Sequence, residues 1–193
     1  MQYDLLTPLN LNFSPMIHMK YPTTRFDSAT PEDLPSDLNH FMLSRGIQLS
    51  YMAIFYSPPK FFSHECHVDH STTMSAPARI NGKWGSRCKL NFIVGAPEVE
   101  NVWYEPKHLS DGELESSITD LGQLYYRLPI STCNEVFRSR LSDWNLFEAG
   151  QPHSTFNLSN KGRWCYTFVL RDRDTDEWMS YDTCKDRLYD MIR

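Results

Sequence analysis

Arg163-Trp164-Cys165-Tyr166-Thr167-Phe168-Val169-Leu170 is the clearest strand in the chain, and its two faces decide how the rest is arranged. Successive side chains of a strand point to opposite faces. Trp164, Tyr166, Phe168 and Leu170 share one apolar face; Arg163, Cys165, Thr167 and Val169 share the other. An aromatic face of that size must be buried, either toward the interior of a layered β fold or beneath covering helices. If it goes beneath the helices, Arg163 points the other way, into the interior of the sheet structure. A guanidinium in that position requires an anionic partner, because an unpaired buried charge is very costly. A carboxylate held by two parallel hydrogen bonds is its natural mate.

Working back from this strand, Gly150-Gln151-Pro152 reads as a turn that presents His153, ten residues before Arg163. Residues 46–56 form a second strand. There Ile47, Leu49, Tyr51, Ala53 and Phe55 alternate with Gln48, Ser50, Met52 and Ile54, and Pro58-Pro59 ends the run. Residues 87–94 follow the same pattern, with Leu90, Phe92 and Val94 on one face and Lys89, Asn91 and Ile93 on the other. Further strands are expected at 99–105, 121–128, 135–141 and 144–148, and a short one at 16–20 within an irregular N-terminal 30 residues. Helices are expected at 35–45, stopped by Gly46, and at 180–193, opened by Ser180. The Pro- and Gly-broken stretch 75–86 reads as a loop, and the acidic stretch 107–118 as a mobile excursion or lid. Short strands with turns between them and helices only at the edges predict a mainly β fold, a sandwich or jelly roll.

A chain of 193 residues predicts one domain, with its core at 46–170 and the flanks 1–45 and 180–193 packed around it. The net charge of −5 argues against nucleic acid as partner. Five cysteines at irregular spacing, with no C-x-x-C, predict free thiols in a reducing compartment. No signal-peptide pattern opens the chain and no apolar run reaches membrane length, so the expectation is a soluble, cytoplasmic protein without a membrane partner.

The chemistry centres on His67-Val68-Asp69, within 63–70. Two residues apart on a strand, His67 and Asp69 project together. They supply two of the three ligands of a 2-His-1-carboxylate site, the set used by non-haem Fe(II) oxygenases. His64, Cys66 and His70 fall on the opposite face and read as packing or surface residues. An H-x-D pair, a downstream His and an Arg ten residues beyond it together resemble the iron- and 2-oxoglutarate-dependent oxygenases. The small prolyl-hydroxylase-like and phage-type members are the nearest in pattern. They share an Ile-Asn strand and a Trp-Tyr pair, matched here by Arg79-Ile80-Asn81, Leu90-Asn91-Phe92 and Trp103-Tyr104.

That resemblance, which runs over 46–170, implies a double-stranded β-helix of jelly-roll, cupin-like type. It implies Fe(II) held by His67, Asp69 and His153, and 2-oxoglutarate paired through its far carboxylate with Arg163. Asn91 and Cys165 are further cosubstrate contacts, Cys165 standing where the family often has Ser. The implied activity is that of a dioxygenase, hydroxylating a substrate while 2-oxoglutarate is oxidatively decarboxylated to succinate. A carboxylate ligand at Asp69 implies hydroxylation rather than halogenation. Trp103, Tyr104 and Arg79 are candidates for the substrate pocket, and a small molecule or a peptidyl side chain would each fit. Were the chain phage-encoded, the compartment would be the host cytoplasm. The basic residues Arg79, Lys83, Arg87 and Lys89 read as a solvated loop in preference to an anion site. Two alternatives remain: a jelly-roll binding or structural protein without turnover, and a cupin-like metalloenzyme that does not use 2-oxoglutarate. Neither requires a buried Arg163.

Overall fold

The outer faces of two stacked sheets collect apolar residues, and the space between the sheets is apolar at one end and polar at the other. A computed structural model of the chain describes residues 4–13, 26–29, 35–69, 87–95, 98–107, 115–118, 124–141 and 143–193. Its strands are β1 (Leu6–Pro8), β2 (Phe26–Ala29), β3 (Ile47–Ser57), β4 (Glu65–Asp69), β5 (Cys88–Gly95) and β6 (Val99–Pro106). They continue with β7 (Glu115–Ile118), β8 (Leu124–Pro129), β9 (Cys133–Arg140), β10 (Asp143–Glu148), β11 (His153–Asn157) and β12 (Arg163–Asp172). The helices are α1 (Ser36–Ser44) and α2 (Tyr181–Arg187). All strand pairs are antiparallel. The first sheet runs β1-β10-β5-β12-β3-β2 and the second β7-β8-β4-β11-β6-β9. The chain is therefore mainly β, as its alternation predicts. No described helix is long and apolar enough to cross a membrane.

β12 lies in the middle of the first sheet, between β5 and β3. Tyr166, Phe168 and Leu170 bury on its outer face with Leu90 of β5, Trp144 and Leu146 of β10, and Met52 and Ile54 of β3. Leu38 and Met42 of α1 and Tyr181 and Cys184 of α2 close that cluster from outside. Trp164 packs against its edge. The aromatic face thus lies under the helices, and Arg163 faces inward, 2% exposed.

β3 departs from simple alternation. The ladder pairs Val169 with Tyr51 but Leu170 with Leu49, so Ser50 is an extra residue in β3. Such a bulge switches the face of every residue beyond it. Ile47 and Leu49 therefore join Met52 and Ile54 in the outer cluster, instead of sharing a face with Ala53 and Phe55.

Gly46 ends α1 with φ +70°, a conformation that L side chains rarely adopt. At the other end Ser180 caps α2, its Oγ accepting from Thr183 N at 3.1 Å. α2 stops at Arg187 and gives way to a 3-10 turn over Tyr189–Met191, so the helix expected to run to 193 is shorter. The backbone there bonds to the N-terminal segment, Asn10 N donating to Met191 O at 2.7 Å and Arg193 N to Pro8 O at 3.2 Å. Of the stretch 107–118, residues 108–114 lie outside the described residues; Glu115–Ile118 is not an excursion but an edge strand on β8. The strand expected at 16–20 and the loop at 75–86 also lie outside them.

In the second sheet, β4 pairs along its whole length with β8, and β11 along its whole length with β6. β4 and β11 meet at one register pair only, His67 opposite His153. Cys66, Val102, Tyr104, Leu128 and Cys133 bury on the outer face of this sheet. There the Cys66 and Cys133 Sγ atoms are 3.7 Å apart. All five cysteines are free.

Candidate metal centre

β4 sets His67 and Asp69 on its inner face, and the turn before β11 delivers His153 directly opposite His67. That turn is held by backbone and side-chain bonds: Tyr104 N donates to Pro152 O at 2.8 Å, and Gln151 Nε2 donates to Tyr104 O at 2.8 Å. Behind it the Glu148 carboxylate accepts from Gly150 N at 2.9 Å and from Arg87 N at 2.8 Å.

The result is a cluster in which one ligand atom from each of His67, Asp69 and His153 lies within 4.8 Å of the others. His67 Nε2 is 3.9 Å from Asp69 Oδ1, and His153 Nε2 is 3.7 Å from Asp69 Oδ2. Ligands about 2.1 Å from one ion at right angles stand about 3 Å apart, so shifts of less than an ångström per side chain would bring this set onto a cation. His153 Nδ1 is 2.8 Å from Gln151 O. A carbonyl only accepts, so Nδ1 carries the proton and Nε2 keeps its lone pair toward the cluster. Burial pushes the His153 imidazole down to about 3, with His67 acting in the same direction. Burial also lowers His67. Both rings are thus neutral, as metal ligands must be. Burial would raise the Asp69 carboxyl, but the Lys89 ammonium together with the neighbouring His153 and His67 rings outweighs it and holds the group well below the usual carboxylate range.

The cluster opens into a cavity of ≈ 380 Å³ between the sheets. Arg163, Cys165 and Asn91 all line it, together with Lys89, Thr167 and Phe55. Among the described residues Arg163 has no carboxylate partner, and its Nε is buried without a hydrogen bond. Asn91 Oδ1 is likewise buried and unpartnered. The Cys165 thiol is pushed up by burial, and Arg163, Lys89 and Asp69 all act on it within the cavity. The start of β12 is fixed by Asn157, whose Nδ2 donates to Ser57 O, Pro58 O and Lys161 O at 3.1, 2.8 and 2.8 Å. A Cβ on Gly162 would come within 2.1 Å of the Tyr56 hydroxyl oxygen, so any other residue there would require the Tyr56 ring to move aside.

Trp103 and Tyr104 do not line the cavity. Adjacent residues of β6 point to opposite faces. Trp103 fills the interior against Phe147 and Phe137, and its Nε1 donates to Glu148 O at 3.0 Å. Tyr104 faces outward, 3% exposed, and its hydroxyl accepts from Ser154 Oγ at 3.1 Å. Neither of these two substrate-pocket candidates therefore borders the cavity beside the cluster. Arg79, the third candidate, lies outside the described residues, as do Lys83 and His70.

Lys89 is a site residue that reading a basic patch from sequence misplaces. It is 8% exposed, and its Nζ donates to Asp69 Oδ2 at 2.7 Å. The signal was available, because Leu90 and Phe92 face the helices and the alternation of β5 turns Lys89 inward with Asn91. Tyr125 and Arg127 of β8 also line the cavity without any sequence motif to announce them. No protein-family model and no curated protein matches the chain.

Proposed function

We propose that the chain is an Fe(II)- and 2-oxoglutarate-dependent oxygenase on a double-stranded β-helix, hydroxylating a small molecule or a peptidyl side chain. The observation that carries this reading is Arg163. A guanidinium 2% exposed, in the same cavity as a His–Asp–His cluster and with no carboxylate partner among the described residues, calls for an anion, and the carboxylate of a cosubstrate would supply it. The order β10-β5-β12-β3 facing β4-β11-β6-β9 supports the jelly-roll assignment, since each sheet alternates early and late strands.

The residues fit the groups they would hold. His67, Asp69 and His153 offer two neutral imidazoles and an ionised carboxylate, the donor set suited to Fe(II) with open coordination positions. Arg163 would take the far carboxylate of 2-oxoglutarate in a bidentate grip, with Asn91 and Cys165 flanking the path between it and the metal cluster. Bound together, iron and cosubstrate supply O₂ activation coupled to decarboxylation. The chain positions the target C–H bond beside them and limits the entry of water. The Gln151 carbonyl keeps the His153 tautomer in place throughout.

Anaerobic addition of Fe(II) and 2-oxoglutarate tests the assignment, the weak visible charge-transfer band of that family being the expected result. Arg163→Met should lose the band at ordinary cosubstrate concentration while its metal affinity stays within about threefold. A band of unchanged cosubstrate dependence in Arg163→Met would remove Arg163 as anchor. No band in the wild type would favour a metal site that does not use 2-oxoglutarate.

A further inference from the structure

The charges lining the cavity do not balance. Glu65 and Arg127 face each other at 3.3 Å, and Asp69 faces Lys89 at 2.7 Å. Arg163 has no carboxylate among the described residues, and His67 and His153 count as neutral, the form in which an imidazole binds a metal. Among the described residues the surplus is one positive charge. Adding a divalent cation raises it to three, in a space partly shielded from water where like charges repel strongly. Adding a dicarboxylate dianion returns it to one. Metal alone is therefore disfavoured here, and metal with anion is not.

Lys89 stands at the centre of this imbalance. It comes from β5 in the first sheet, whereas Asp69 comes from β4 in the second, so the ammonium reaches across the interior to the one carboxylate of the cluster. It occupies Oδ2 and leaves Oδ1, which is 3.9 Å from His67 Nε2. A divalent ion drawn to Asp69 arrives beside a fixed positive charge.

We propose that Lys89 is a positioning residue that makes metal binding and anion binding strongly cooperative: it holds Asp69 as an internal counterion, opposes a divalent cation that enters alone, and admits it when a dicarboxylate enters too. The inference rests on the oxygenase reading of the site, and it has a thermodynamic corollary. Coupling between two ligands is reciprocal, so the metal tightens the dicarboxylate by the same factor.

The test is a titration with Co(II), which reports binding without turnover, in the presence and absence of saturating 2-oxoglutarate. In the wild-type protein 2-oxoglutarate should tighten Co(II) about 100-fold. Lys89→Met should bind Co(II) alone about tenfold more tightly than wild type, with the coupling reduced to about tenfold. Lys89→Arg, which keeps the charge, should retain the wild-type coupling. Should the Met variant fail to fold, Lys89→Gln carries the same expectation. Wild-type affinity and coupling in the neutral variants would overturn the role of Lys89 and leave the oxygenase reading standing, as would Co(II) binding weakened by loss of the lysine. A wild-type protein that binds no Co(II) would overturn the oxygenase reading itself.

Discussion

His153 has two ring nitrogens with different tasks, and one hydrogen bond assigns them. Nδ1–H donates to Gln151 O, so any proton taken up must go to Nε2, which faces His67 and Asp69 of β4 and Lys89 of β5. The folded value of about 3 lies below the unfolded value of about 6.5. Between those limits the unfolded chain binds a proton that the folded chain does not, so the contribution is present above about pH 6.5 and is lost as pH falls. The depressed Asp69 carboxyl acts in the same direction at lower pH. The urea midpoint of metal-free protein is expected to fall between pH 7 and 5, and His153→Phe should flatten that slope. An unchanged slope would show that His153 does not titrate on unfolding. At this scale the sequence was most legible where a residue sat on a strong alternation. Arg163 could be turned inward because Trp164, Tyr166 and Phe168 had to turn outward. Trp103 and Tyr104, as neighbours on a strand, take opposite faces, and neither borders the cavity. Lys89 was counted with nearby arginines and lysines instead of with Asn91.

Among the elements, β12 carries the most consequence, joining the covered face of the first sheet to the cavity. Phe168 is fully buried under the helices beside Trp144. Phe168→Ala should cost about 3–5 kcal/mol of unfolding free energy, read from denaturant midpoints. Its side chain faces away from the cavity, so Co(II) affinity should persist wherever the variant is folded; loss of metal binding in the folded variant would show that the two faces of β12 are not independent. Strands with a clean period of two were readable to within a residue or two. β1 and β2, of three and four residues, carry too little pattern to be seen before their partners are known. The bulge at Ser50 was hidden because β3 is apolar on both faces, so either phase of the alternation buries something. β7 was masked by composition: polar residues such as Ser116 and Ser117 suggest a loop, yet an edge strand needs only backbone pairing with β8.

In the molecule as a whole, two sheets stand apart by the width of an interior that is apolar at one end and polar at the other. Leu5, Leu6, Ile93, Trp103, Leu141 and Phe147 close the apolar end. Lys89, Asn91, Thr167 and Arg163 line the polar one. This division was implicit in the sequence once the helices were assigned to one face, but the N-terminal contribution of Leu5 and Leu6 was not, since nothing local marks a three-residue strand. The second sheet has a further property, set by the single register pair between β4 and β11. It is two half-sheets laid edge to edge, and His67, Asp69 and His153 stand on the two sides of the join. An ion bound there would act as a clasp, and its binding free energy would become resistance to opening. At a metal concentration 100 times Kd that resistance is about 2.7 kcal/mol. Amide hydrogen exchange should therefore slow in β4 and β8 when Co(II) is added, with little change in β12 and β3. Equal slowing in both sheets would mean that the half-sheets never part on their own. If they do part, the weakest line in the fold is also the way in for the metal.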